Sequence, residues 1–160
     1  MTIEAQAGVI TYAREDYDEI INELKPLLPI HWEELGLRLV EAPLDPDFGF
    51  YERANRAGLL FAYAARLNGR LIGYCIMTVV PRHAHYDHKF ARDDTVYISP
   101  EHRNVGVAGG LFDFMEADLS KDAPCVVVIE SRIGHPALEI LLRSRGYQPT
   151  GGLFAKRVVP

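Results

Sequence analysis

Two cysteines, one tryptophan and no apolar run long enough to cross a bilayer set the first limits on this chain. Cys75 and Cys125 each lie inside an apolar stretch, IGYCIMTVV and PCVVVIE. Buried, reduced thiols are expected there rather than a disulfide or a metal pair. Structural zinc needs four clustered ligands, and neither CxxC nor HxxxH spacing occurs, so no metal is expected. A membrane helix needs about 18–20 apolar residues in succession, which excludes a spanning helix. The stretch MTIEAQAGVITYARED has an early Glu4 and lacks the basic-then-apolar layout of a secretory signal, so a cytoplasmic location is expected. Basic residues are outnumbered, 17 Lys and Arg against 22 Asp and Glu, for a formal net charge of -5. That balance argues against a nucleic-acid partner, while the basic lean of residues 53–92 argues for one. Repeats, low-complexity tracts and Ser/Gly-rich linkers are also missing. With 160 residues, 48% of them hydrophobic, one domain over 1–160 is expected.

What is present reads as alternating strands and helices. GVITYAR (8–14) alternates as a strand. Asp16 or Asp18 caps a helix to Lys25, with Tyr17, Ile20, Ile21 and Leu24 at helical spacing, and Pro26 and Pro29 break it. HWEELGLRL (31–39) forms a second short helix, and 49–57 has helical character. LLFAYAARL and RLIGYCIMTVV flank Asn68-Gly69, which suits a type I′ turn because both positions need positive φ, and this predicts a β-hairpin. DTVYIS (94–99) is the next strand. GVAGGLFDFMEADLSKD (106–122) is a helix whose apolar stripe is broken only by Asp118. CVVVIES (125–131) has the continuous apolar run of a strand buried on both faces. Pro136 opens a helix over 136–145, and Gly146 stands where a left-handed cap belongs. YQPT and GLFAKRVV end the chain as two short strands. The strand–helix–strand passage implies parallel pairing of DTVYIS with CVVVIES, and the hairpin must be antiparallel, so the fold class is α/β with a mixed sheet.

The segment YISPEHRNVGVAGGL (97–111) carries the chemistry. A strand ends at Pro100, a short loop holds Arg103, which suits either a charge-assisted contact to a bound phosphate or the ordering of the loop, and small residues open a long helix. Free N–H groups and partial positive charge at a helix start bind phosphate. Gly106, Ala108, Gly109 and Gly110 keep side chains clear of such a ligand, or serve only to let the helix pack closely on the sheet. Two rival phosphate loops fail: GxxxxGK[ST] needs a Lys-Ser/Thr pair that does not follow, and GxGxxG spacing is missing.

Arg103-Asn104-Val105-Gly106-Val107-Ala108 resembles the [RQ]xxGx[GA] signature of the Gcn5-related N-acetyltransferases (GNAT), placed between the fourth strand and third helix as in that family. The Asn68-Gly69 hairpin, the CVVVIES strand and the unit around Arg145-Gly146-Tyr147 extend the likeness over most of the chain. The resemblance implies a mostly antiparallel sheet of six to seven strands with a splay between strands 4 and 5, and about four helices. It implies that acetyl-CoA is the co-substrate and that its acetyl group passes to a primary amine, small-molecule or peptidyl, by direct attack. The amides of Asn104 through Ala108 are then expected to hold the coenzyme pyrophosphate. Val96, Tyr97 and Ile98 should lie along its pantetheine arm, where a backbone amide polarises the thioester. A homodimer is an expectation from the same resemblance. The loop HAHYDHK followed by VYISPEHR is also loosely similar to bacteriophage-encoded members, which would admit a nucleobase amine or a host protein as acceptor.

The likeness breaks at the general acid. Aligned on Gly146, the family's NxxAxxxYxxxG places Leu142 at the tyrosine, Leu138 at the alanine and His135 at the asparagine. His135 either touches the coenzyme or is a surface residue. A general base must deprotonate the amine. Glu130, Asp93 and Asp94 qualify, though Glu130 equally suits an ion pair with Arg132 and Asp94 a turn. Among His83, His85 and His88, mostly expected to be solvated, His85 or Tyr86 has an expected substrate-side role. Trp32, Phe48, Phe50 and Tyr51 suit core packing or an acceptor pocket. The competing function is a catalytically weak acetyl-CoA-binding module that regulates another protein.

Overall fold

The computed structural model describes residues 8–35, 44–85, 87–131 and 136–152. In chain order its elements are β1 (Ile10–Glu15), α1 (Tyr17–Leu24), α2 (Leu28–Leu35), α3 (Phe48–Arg56), β2 (Leu60–Leu67), β3 (Arg70–Val80), β4 (Lys89–Ile98), a 3-10 turn (Pro100–His102), α4 (Val107–Leu119), β5 (Cys125–Val128) and α5 (Pro136–Ser144). The strands form one sheet in the order β1-β2-β3-β4-β5. Contacts from β1 to β4 are antiparallel, and β4 with β5 is parallel.

Local chemistry accounts for the best-anticipated parts. Asn68 and Gly69 take φ of 51° and 84°, the positive values a tight hairpin turn requires. The Asp16 side chain accepts from the Asp18 N–H and caps α1. Gly146, at φ 86°, closes α5.

Each face of the sheet has its own core. On one, Val107, Leu111, Phe112, Met115 and Leu119 of α4 and Leu142 of α5 pack on Tyr63, Cys75, Met77 and Ala91. On the other, Tyr17, Ile20 and Leu24 of α1 cover Ala62, Ala64, Tyr74, Ile76 and Tyr97. Burying each large apolar side chain contributes roughly 1.5–3 kcal/mol. Asp118, which interrupts the α4 stripe, is not stranded: it accepts from Arg14, Lys121 and the Tyr63 hydroxyl at 2.9, 2.9 and 3.1 Å. Burial pushes its carboxyl up, but these partners outweigh that and hold it below its ordinary value.

Several expectations need correction. Among the described residues there are five strands rather than six or seven, and five helices rather than four. YQPT is not a strand, and GLFAKRVV lies almost wholly outside the described residues. The strand expected over 125–131 ends at Val128 and, with Cys125, is half-buried; among the described residues β4 is its one neighbour in the sheet. β4 begins at Lys89 rather than at residue 94, since pairing with β3 and β5 draws the stretch KFARD into the ladder. The second helix is Leu28–Leu35 and not 31–39. Pro29 stands in its first turn, where a missing N–H costs nothing.

Candidate active site

Two irregularities in β4 make the site. Pairing with β5 covers Lys89 to Arg92, so from Asp93 to Ile98 the strand has one neighbour among the described residues, β3. Within that half, Ile76 faces Thr95 and Met77 faces Asp93, so Asp94 is an extra residue with nothing opposite it. Such a bulge shifts the alternation by one. Asp93 is thereby carried onto the face of Met77, under α4, while Thr95 remains on the face of α1.

A cleft of about 620 Å³ opens along the unpaired half. Its walls are residues Asp93 to Ile98, the loop and first turns of α4, Glu130 beyond β5, the start of α5 at Pro136, Ala137 and Leu138, and His31 and Glu34 of α2. The α4 loop has the geometry of an anion cradle. Asn104 and Gly106 both take left-handed φ, 63° and 87°. Gly106 caps the helix without a side-chain oxygen, and the first helical bond runs from the Gly110 N–H to the Gly106 carbonyl. The N–H groups of Val107, Ala108 and Gly109 precede it and have no intrahelical acceptor. The glycines divide in purpose. A Cβ on Gly109 would meet nothing, whereas one on Gly110 would collide with the Tyr12 ring. Gly110 thus serves helix–sheet packing and Gly109 the open cleft.

Arg103 orders this loop. Its Nε donates to the Ile98 carbonyl at 2.8 Å, and Nη2 donates to Glu34 at 2.7 Å. The bond ties the loop to the end of β4, and a charged donor on a carbonyl is worth about 1.5–3 kcal/mol.

Asp93 is the perturbed acid of the cleft. Burial, reinforced by the charge of Glu130, pushes its carboxyl from an ordinary 3.8 up to about 6, against the opposing pull of the Glu130 N–H and Arg92. The Glu130 main-chain N–H donates to Asp93 Oδ1 at 2.8 Å, and the Glu130 carboxylate lies 3.3 Å from Arg92 Nη2. Asp94 points elsewhere: its Oδ2 accepts from the Tyr51 hydroxyl at 2.8 Å. Burial and Asp94 hold that phenol far above its usual range, so it stays a donor.

A second cavity of about 350 Å³ lies on the α1–α3 side and shares His31, Asp94 and Thr95 with the cleft. His31, 6% exposed, stands at the junction with Nδ1 3.1 Å from both Tyr74 Oη and Thr95 Oγ1. Trp32, Phe48 and Tyr51 line this second cavity, Tyr51 also packing against the core under α1, while Phe50 is 52% exposed.

Of the residues singled out in the sequence, Asp93, Asp94, Val96, Tyr97, Ile98, Arg103, Asn104, Gly106, Ala108, Gly109, Glu130 and Leu138 line the cleft. Val105 is 66% exposed in the loop, and the Val107 side chain is buried below it. His85 lines neither cavity; it is exposed, its ring 5.5 Å from that of His83. His135, Arg132 and Tyr86 lie outside the described residues. Leu142 is buried at 7% in the core and brings no hydroxyl. His31 and Glu34 were missed, for nothing local distinguishes them from other polar residues of a short helix. Consecutive acids inside an alternating strand were a usable sign of the bulge. No group of three or more His, Cys, Asp or Glu suited to a metal occurs among the described residues, and none of their helices is long and apolar enough to cross a membrane.

Residues 17–147 match the model of the Acetyltransferase (GNAT) family. Among solved structures, an aminoglycoside acetyltransferase from an uncultured soil metagenomic sample, in complex with sisomicin, aligns with a TM-score of 0.75 at 10% identity, over 94% of this chain and 97% of that one. Ribosomal-protein-alanine N-acetyltransferase from Brucella melitensis biovar Abortus 2308 aligns at 0.73 and 20% identity, over 95% and 99%. A predicted acetyltransferase from Clostridium acetobutylicum with acetyl-CoA aligns at 0.63 and 17%, over 93% and 96%. At these identities the likeness is one of fold. No curated protein matches the chain significantly.

Proposed function

The chain belongs to the acetyltransferase (GNAT) family, and from that premise we propose that it transfers an acetyl group from acetyl-CoA to a primary amine. The observation that carries the reading is the glycine-capped start of α4, opening beside a strand edge that β5 leaves unpaired. The amides from Asn104 to Ala108 hold the coenzyme pyrophosphate, with negative charge at the helix start favoured by the macrodipole. The pantetheine arm extends along Val96, Tyr97 and Ile98, where main-chain groups on the open edge of β4 serve as its partners. The amine enters from the second cavity, its ammonium steered by Asp94. Asp93 takes one proton from the ammonium, the freed amine nitrogen attacks the thioester carbonyl carbon, and the second nitrogen proton leaves to solvent as the amide forms. The C–N bond forms, the C–S bond breaks, and the departing thiolate takes its proton from solvent, since Leu142 supplies none. An acid near 6 is ionised at neutral pH yet basic enough to accept a proton. Glu130 positions Asp93 through its main-chain N–H. The similar folds named above acetylate an aminoglycoside and a ribosomal-protein alanine, which supports an amine acceptor without choosing between small molecule and peptide.

The apolar Leu142 favours a second reading, a coenzyme-binding module with little turnover. Calorimetry with acetyl-CoA and release of free thiol with an amine panel separate the two. Binding with thiol release supports the enzyme, binding without release the module, and no binding removes both.

A further inference from the structure

Building on that reading, we infer that the second cavity selects a small monocationic amine with an apolar ring or branched alkyl body, in preference to a polyhydroxylated polycation or an extended peptide. The cavity meets the cleft at His31, Asp94 and Thr95, so a molecule seated in it presents one end to the open half of β4. Five aromatic side chains line it: Tyr17, Trp32, Phe48, Tyr51 and Tyr74. Tyr17 and Tyr51 are stacked with ring centres 5.6 Å apart, which makes that wall rigid. Among the described lining residues the charged groups are two carboxylates, Asp45 and Asp94, with no Lys or Arg. Tyr51 occupies Oδ2 of Asp94. The other carboxylate oxygen bonds no described residue and is available to an ammonium.

The match of chemistry follows from these walls. Ring faces and two carboxylates attract one cation. The rings shelter an apolar body, and a missing ring or chain lowers kcat/KM by roughly tenfold to a hundredfold in such pockets. The many hydroxyls of a sugar amine would lie against rings with nothing to bond, which costs affinity. A volume near 350 Å³ is at the small end of ligand pockets and suits a single ring with a short chain.

Trp32 is the chain's single tryptophan and lies in this wall, so its fluorescence reads occupancy without any need for turnover. Titration with 2-phenylethylamine, with and without acetyl-CoA, should change Trp32 emission saturably, and propylamine should do so at least about tenfold more weakly. In thiol-release assays 2-phenylethylamine should exceed propylamine, sisomicin and an alanyl peptide in kcat/KM by about tenfold or more. Phe48→Ala should raise its KM about tenfold and leave the KM of acetyl-CoA within about twofold. Unchanged emission at millimolar 2-phenylethylamine overturns the inference, as does a preference for sisomicin or the peptide, or a Phe48→Ala KM equal to wild type in a folded variant. A failure of acetyl-CoA to bind would instead remove the coenzyme reading, and the titration without acetyl-CoA would still report on the cavity.

Discussion

Between Lys89 and Arg92, β4 has β3 on one side and β5 on the other; between Asp93 and Ile98 it has, among the described residues, β3 alone. The doubly paired half is structural: Ala91 is fully buried against the α4 core, and its backbone groups close ladders on both edges. The singly paired half carries a bulge, two successive carboxylates and an exposed row of backbone donors and acceptors. An unpaired edge is normally a hazard for aggregation. Here it faces a cleft bounded by α4, α5 and α2 rather than a neighbouring molecule's strand. The two halves show that one strand contributes to folding where it is paired and to binding where pairing stops.

The largest effect expected in the open half is on turnover. Asp93→Asn should lower kcat by about 10²–10⁴, the usual contribution of a positioned base, without weakening acetyl-CoA in calorimetry. Loss of under about threefold would transfer the role to another group. Gly106→Val comes next. A β-branched residue at φ 87° is strained, and its side chain enters the cradle, so acetyl-CoA affinity should fall by about tenfold to a hundredfold. Affinity equal to wild type in a folded protein would separate the loop from the coenzyme.

Asp93→Asn also has an opposite, smaller effect on stability. The folded carboxyl sits near 6 against an ordinary 3.8, so the native state binds the proton more tightly than the unfolded chain does. Stability from this group is therefore present at low pH and lost as pH rises through that window. The Asn variant should exceed wild type by about 1–3 kcal/mol above pH 6, and the gain should vanish below about pH 4, as read by urea unfolding across pH. A variant less stable at pH 8 would contradict the burial argument. The same carboxyl dictates that kcat/KM rises through about pH 6 and is lost below it. Glu130→Gln is the smallest change: removing a charge that raises Asp93 should move that acid limb to lower pH, by under about one unit, with the plateau nearly intact. An immobile limb would mean that Asp93 does not govern it.

How much of this could be read in the residues depended on range. Asn68-Gly69, the Asp16 cap and the Gly146 closure act through φ or a side chain two residues away, and each stands where expected. The loop from Arg103 to Ala108 was legible for the same reason, including Arg103 ordering its own turn through the Ile98 carbonyl. By residue type Glu130 suits a base or an ion pair with Arg132, which lies outside the described residues; in the fold its carboxylate meets Arg92 and its N–H goes to Asp93. The chemistry of His85 suits a substrate-side role, yet its loop keeps it beside His83, away from both cavities.

Turn conformation, helix periodicity and capping are decided within a few residues, and so the hairpin, the glycine-capped α4 and the mixed order of strands follow from the chain's local chemistry. The place where β5 stops, the bulge at Asp94, the desolvation of Asp93 and the meeting of His31 with Thr95, 64 residues apart, do not. Those depend on which distant segments pack together, because burial and pairing are properties of neighbours in space rather than neighbours in sequence.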